Sequence, residues 1–214
     1  MTTAIIGVGN LGGTVARHLV AGDERVVLAA ANEEHAKTLA DELGPNASAA
    51  SVEDAIAGAD VVVLATWLDQ TREYLPAEAR LLENKIVVDP SNPIGFENSQ
   101  MIRTLPEGVS SGSVVEGLLP ASAHYVKAFG SLGALEQLAT SANRDPRVVL
   151  FYATDDDTAE AVAQHLIRAA GFAPLKVGGV AEAGRIEGPD GELQGRMLDL
   201  AEARATIATE GAKA

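Results

Sequence analysis

The chain has 214 residues, with 16 Lys and Arg against 30 Asp and Glu, a formal charge of −14 and no cysteine. That balance argues against a general nucleic-acid binder, which needs a basic face for phosphates. The missing thiols exclude disulfides, thiolate metal sites, iron–sulfur clusters and cysteine nucleophiles.

The four histidines (His18, His35, His124, His165) show no HxH or HxxxH spacing, so no metal site is expected. The opening residues 1–6 carry no basic region, so no signal peptide is expected. No apolar run approaches the ~20 residues that span a bilayer. The expected setting is cytoplasmic, without membrane partners.

In chain order, residues 4–6 read as a strand ending in Gly7. Residues 10–21 read as a helix with Leu11, Val15 and Leu19 on one face, closed by Gly22. A strand over 25–30 is followed by a helix over 33–43, stopped by Gly44-Pro45, and a short strand over 47–50. Ser51 caps a further helix. Residues 60–66 form an apolar strand of the kind buried on both faces of a parallel sheet. A helix over 73–82 and a strand over 85–89 follow.

Residues 90–112, rich in Ser, Asn, Pro and Gly, show no periodicity and read as a functional loop or lid. Ser113-Val-Val-Glu116 has capping-box spacing and opens a short helix ending near Pro120. Residues 125–129 read as a strand and 132–139 as a helix, and the polar connector 141–146 marks a domain boundary. Beyond it come a strand over 148–153, a helix over 156–170, a strand over 173–177 and a helix near 194–209, with residues 210–214 frayed. Such alternation predicts an α/β protein. A Rossmann-type doubly wound parallel sheet is expected over 1–140, and a small C-terminal α/β domain over 141–214.

Gly7-Val-Gly9-Asn10-Leu11-Gly12 matches GxGxxG between the first strand and the first helix. Alone the pattern is weak; this placement is what dinucleotide binding requires. Gly7 permits the tight turn, Gly9 lets the main chain approach a pyrophosphate, and Gly12 lets the helix pack close to the sheet. The amides at the helix start, from Asn10 and Leu11, then face the phosphates. The second strand ends in Ala29-Ala30-Ala31-Asn32, offering neither the acid that binds an NAD ribose nor the cation that binds an NADP phosphate. Asn32 is either a plain helix cap or a ligand of the ribose, and NAD versus NADP stays open. The turns Ala65-Thr66-Trp67 and Asp89-Pro-Ser-Asn-Pro93 should border the ligand, because open α/β sheets bind at the carboxyl ends of their strands.

The glycine loop, the Asp89–Pro93 turn, Val126-Lys-Ala-Phe129 followed by Gly130-Ser-Leu-Gly-Ala, and Ala153-Thr-Asp-Asp-Asp157 occur in an order that resembles coenzyme F420-dependent NADP oxidoreductases. The resemblance covers most of residues 1–187. It implies hydride transfer between NADP and the deazaflavin F420, with no catalytic acid–base residue, because each cofactor supplies its own electron sink. It also implies a homodimer, with residues 141–214 as the dimerisation domain. Thr66, Trp67, Asn92 and Pro93 would lie beside the nicotinamide, and Gly130, Ser131 and Leu132 would line the deazaflavin side.

The chain departs from the family at three places. Alanines replace the Ser-Arg pair that holds the NADP phosphate, Gly130 stands where relatives have Asn or His, and Trp67-Leu68 replaces Pro-Trp. A flavin or other small acceptor, or a non-catalytic NAD(P)-binding redox sensor, are the alternative readings. An F420 tail would need one of Arg103, Lys127 or Arg185, with Lys127 expected to snorkel to a surface. Arg185 is expected to pair with Glu187 or Glu182. The run Asp155–Asp157 is expected to cap a helix rather than bind a metal.

Overall fold

The structure, a computed structural model, describes residues 1–210; residues 211–214, part of the segment expected to fray, lie outside the described residues. Strands β1 (Thr2–Ile6), β2 (Arg25–Ala29), β3 (Ala47–Ala49), β4 (Val61–Leu64) and β5 (Ile86–Asp89) alternate with helices α1 (Asn10–Ala21), α2 (Glu33–Leu43), α3 (Val52–Gly58) and α4 (Leu68–Glu78). A hairpin of β6 (Ile94–Glu97) and β7 (Gln100–Arg103), helix α5 (Ser111–Glu116) and β8 (His124–Ala128) follow. The chain closes with α6 (Ala139–Ser141), β9 (Val149–Ala153), α7 (Asp157–Ala169), β10 (Ala173–Gly178) and α8 (Leu200–Glu210).

The main sheet runs β10-β9-β8-β5-β4-β1-β2-β3. Six strands, β3 to β8 across that order, are parallel; β9 pairs antiparallel with β8, and β10 parallel with β9. The strands of residues 141–214 therefore extend the sheet built by residues 1–140. The expected doubly wound Rossmann architecture is present.

Alternation along the strands sorts side chains to two faces. Ile5, Val63 and Leu28 pack with Val15 and Leu19 of α1, while Ala4, Ile6, Val62 and Leu64 pack with Ile56 and Leu75 on the other side. All four residues of β4 are fully buried, as a central parallel strand covered on both faces must be. Behind β9, Val149 and Phe151 meet Leu193 and Ala203 in a third cluster.

Caps fix several helix starts. Asn32 accepts a hydrogen bond from the Glu34 amide at 3.2 Å and Ser51 from Asp54 at 3.1 Å, and Asp156 accepts from Ala159 at 2.8 Å. Asp156 thus caps α7 as expected of the acidic run, and among the described residues no group of acids and histidines could hold a metal. No helix among them is long and apolar enough to cross a membrane.

Five expectations are corrected. The segment 90–112 is not featureless, because it holds the β6–β7 hairpin. The cap of α5 is Ser110, which accepts from the Ser113 amide at 3.0 Å; Ser113, inside the helix, is the donor. α4 begins at Leu68, well before residue 73, with Trp67 as its cap residue. The helical turn after β8 is a wide π turn over Ala134–Leu138, and α8 starts only at Leu200, where the Asp199 carboxylate accepts the Ala201 and Glu202 amides at 2.8 and 2.9 Å.

His18 joins α1 to that π turn. Its Nε2–H donates to the Leu138 carbonyl at 3.0 Å and its ring meets Phe172 edge-on. Burial lowers its pKa below the usual 6.5, partly offset by the bond to Leu138. The unfolded chain therefore takes up this proton before the folded one, and stability is lost as pH falls below the unfolded value. The melting temperature is expected to drop between pH 7 and pH 5, and His18→Gln should flatten that drop. Equal pH profiles for the two proteins would refute the assignment to His18.

Candidate dinucleotide site

The glycine loop turns as the motif requires. Gly7 sits at φ +97°, and a Cβ there would lie 2.6 Å from the Ala65 carbonyl oxygen; a Cβ on Gly12 would lie 1.9 Å from that of Gly7. Both glycines are required by the protein's own packing. Gly9 differs, since a Cβ there would meet nothing within 4 Å. The open space faces the start of α1, which has no side-chain cap, so its first amides point outward. An anion is what such a helix start accepts. A cavity of about 410 Å³ adjoins it, bounded by Gly9, Asn10, Thr14, Arg17, His35 and Leu135 among others. These features fit a dinucleotide pyrophosphate over Gly9, Asn10 and Leu11.

At the end of β2, Ala31, Asn32, Glu33 and Glu34 are all exposed. The Asn32 side chain is engaged as the α2 cap. Arg17 and His35 border the adjoining cavity, and Arg17 forms an exposed pair with Glu42 at 2.8 Å.

The turns after β4 and β5 reach the same rim. The Thr66 hydroxyl lies 2.7 Å from that of Thr71 and 3.4 Å from the Tyr74 phenol. Burial raises the Tyr74 pKa, against the hydrogen bonds from Thr66 and Thr71. Trp67 is 57% exposed and meets Phe96 of the hairpin edge-on at 6.1 Å. Asn92 is committed to the protein: its Nδ2 donates to the Gly130 carbonyl at 3.0 Å, and its Oδ1 accepts from the Gly188 amide at 2.8 Å. Pro93 is buried beside it.

Gly130 follows Phe129, which holds φ +67°, and a Cβ on Gly130 would lie 2.4 Å from the Pro90 carbonyl oxygen. That contact explains why no larger residue stands there. Ser131 and Leu132 are buried, and the Ser131 hydroxyl has no hydrogen-bond partner.

Under this rim lies a group that the sequence reading misplaced. Lys127 does not snorkel to a surface; it is 1% exposed. Its ammonium donates to Asp89 Oδ2 at 3.0 Å, to Ser111 Oγ at 2.7 Å and to the Ser91 carbonyl, and stands 3.5 Å from Glu187 Oε1. Glu187 accepts the amides of Ser111 and Gly112 at 2.7 and 2.8 Å. The pattern carried one usable signal: Asp89 and Lys127 are opposite charges at the ends of two apolar strands, and they stand in register. Arg185 pairs with Glu192 at 2.6 Å and approaches Glu182 at 3.9 Å, rather than meeting Glu187. Arg103 binds Asp190 at 3.2 Å and the Val109 carbonyl at 2.6 Å. All three cations expected to receive an anionic tail are thus engaged within the protein.

Fold and rim together define a Rossmann-type dinucleotide-binding protein. The family of coenzyme F420-dependent NADP oxidoreductases matches residues 2–93. Over nearly the whole molecule the chain is 30% identical to hypothetical protein SMa0349 of Sinorhizobium meliloti, covering 93% of this chain and 95% of that one at a TM-score of 0.82. The chain belongs to the F420-dependent NADP oxidoreductase family and is an NAD(P)-dependent oxidoreductase of Rossmann type.

Two further structures share the fold. One, from Arthrobacter sp. FB24 and described as a proposed F420-dependent NADP reductase, is 24% identical (TM-score 0.72, covering 85% of this chain and 86% of that one). The other, a pyrroline-5-carboxylate reductase of Coxiella burnetii, is 17% identical (TM-score 0.64, covering 98% and 67%). No curated protein matches the chain.

Proposed function

We propose that the protein carries hydride between a nicotinamide dinucleotide, NADP by family, and the deazaflavin coenzyme F420. The observation that carries the dinucleotide half is the uncapped start of α1 beside the open space at Gly9. The dinucleotide supplies the hydride chemistry when bound. The chain's part is placement: Gly9, Asn10 and Leu11 hold the pyrophosphate, Thr66, Trp67 and Pro93 flank the nicotinamide, and the Gly130–Leu132 turn forms the acceptor side. Asn92 acts by tying the Gly130 turn to the Gly188 loop. Placement of two reactants is worth several kcal/mol by itself, and no acid–base residue is needed.

The acceptor half is supported by the family. Mixing the protein with NADPH and F420 should bleach the deazaflavin absorbance. Turnover with flavins or other small acceptors, and none with F420, would replace that half. Tight dinucleotide binding with no turnover on any of them would make the protein a redox sensor. The pairing of Arg103, Lys127 and Arg185 with carboxylates favours one second reading, an acceptor without an anionic tail.

The end of β2 presents no cation and two exposed glutamates, so NADPH and NADH should differ modestly in affinity, by less than about tenfold. Titration of both through the fluorescence of Trp67 measures the ratio. A thousandfold preference for NADPH would place an unrecognised phosphate site near Arg17 and His35.

A further inference from the structure

Every hydrogen bond that reaches the two buried carboxylates under the rim comes from a donor. Asp89 receives the Ser91 amide at 2.8 Å, the Tyr125 phenol at 2.8 Å and Lys127. Glu187 receives two backbone amides and faces Lys127. Five donors converge on the two groups, three on Asp89 and two on Glu187, a setting that favours the carboxylate form of both. Lys127, surrounded by acceptors, is held as the ammonium. Burial, and next the Asp89 charge, push the Tyr125 phenol well above its ordinary range, so it adds no charge. One cation facing two anions leaves a single uncompensated negative charge, sealed from water.

That charge lies directly beneath the turn from Pro90 to Pro93, because Asp89 ends β5 and holds the Ser91 amide, while Glu187 holds the first amides of α5. On the reading proposed above, the nicotinamide rests over this turn. The ring is neutral when reduced and cationic when oxidised. A fixed negative charge in a water-poor setting favours the cationic form.

We infer that the Asp89–Lys127–Glu187 cluster biases the site toward the oxidised dinucleotide, so that bound NAD(P)H is a stronger hydride donor than it is in water. The breaking C–H bond leaves both electrons with the hydride. The dinucleotide is oxidised, and the acceptor is reduced by two electrons and then takes a proton from water. The three side chains are positioning residues acting by charge; none need touch the ring.

The inference rests on the dinucleotide reading, and one experiment separates the two. Dissociation constants for NADP+ and NADPH are measured by Trp67 fluorescence on the full chain, on Glu187→Gln and on Asp89→Asn. The wild-type protein should bind NADP+ at least as tightly as NADPH. Each variant should shift the ratio toward NADPH by about tenfold. If neither dinucleotide binds the wild type, the site reading itself fails. If both bind, but folded variants weaken the two forms equally or not at all, the charge effect fails alone. The wild-type ratio decides even where a variant does not fold, since NADPH bound more than tenfold tighter than NADP+ overturns the inference.

Discussion

Replacing Gly9 with valine is expected to weaken both NADPH and NADH by at least about a hundredfold, close to 3 kcal/mol, while leaving the folded protein intact. The two halves of that outcome have separate causes. A Cβ at Gly9 meets no protein atom within 4 Å, and the backbone there, φ −68° and ψ −164°, is open to any residue. Folding therefore loses little, within the range of ordinary surface changes. The added isopropyl group fills the space in front of the α1 amides, where a pyrophosphate must come within hydrogen-bond reach. Gly12→Ala is the contrast: its Cβ collides with the Gly7 carbonyl oxygen at 1.9 Å, so the loop itself must move. Thermal melts beside Trp67 titrations distinguish them. A Gly9→Val protein that melts normally and still binds the dinucleotide at full strength would remove the loop from the site.

Lys127→Met is expected to produce the largest loss of stability among single changes in the sheet. The ammonium is buried and answers two carboxylates at 3.0 and 3.5 Å. Removing one partner of a buried ion pair leaves uncompensated charge and costs roughly 3–5 kcal/mol, or about 6–20 °C in melting temperature for a chain of this size. Lys127→Arg keeps the charge but overfills a sealed space, so it should recover only part of the loss. A melting temperature within about 2 °C of the wild type for Lys127→Met would show that the cluster is not held as described.

What could be read from the sequence was local. The βα alternation, the helix over 33–43 with its Asn32 cap, the Ser51 and Asp156 caps and the glycine loop all depend on residues a few places apart. The positions under the rim do not. Glu187 reaches Lys127 from 60 positions away, and Asn92 meets Gly188 across 96. Nothing in the spacing of Val126-Lys-Ala-Phe129 reveals that a carboxylate from the C-terminal segment will answer the lysine, so a lone charge in a strand read as a surface group. The hairpin over 94–103 escaped because its strands are four residues each and mostly exposed, leaving little hydrophobic alternation to detect.

The reversal of direction at β9 has a consequence for how such a molecule can change its partner. Gly178 at the end of β10 pairs with Ala153, which stands opposite Lys127 beside Asp89, so the chain leaves β10 level with the buried charges. From there residues 179–198 lace along the dinucleotide half: Glu187 reaches Lys127, Gly188 reaches Asn92, Gly195 reaches Ser131, and the Leu198 carbonyl accepts from Val149 at the head of β9. This strap is encoded after the dinucleotide half and is fastened to it at a few points. On the proposed reading, substitutions along it would reshape the acceptor side at Gly130–Leu132 and leave the glycine loop untouched, so one scaffold could be retuned to new electron acceptors by editing a single belt of chain.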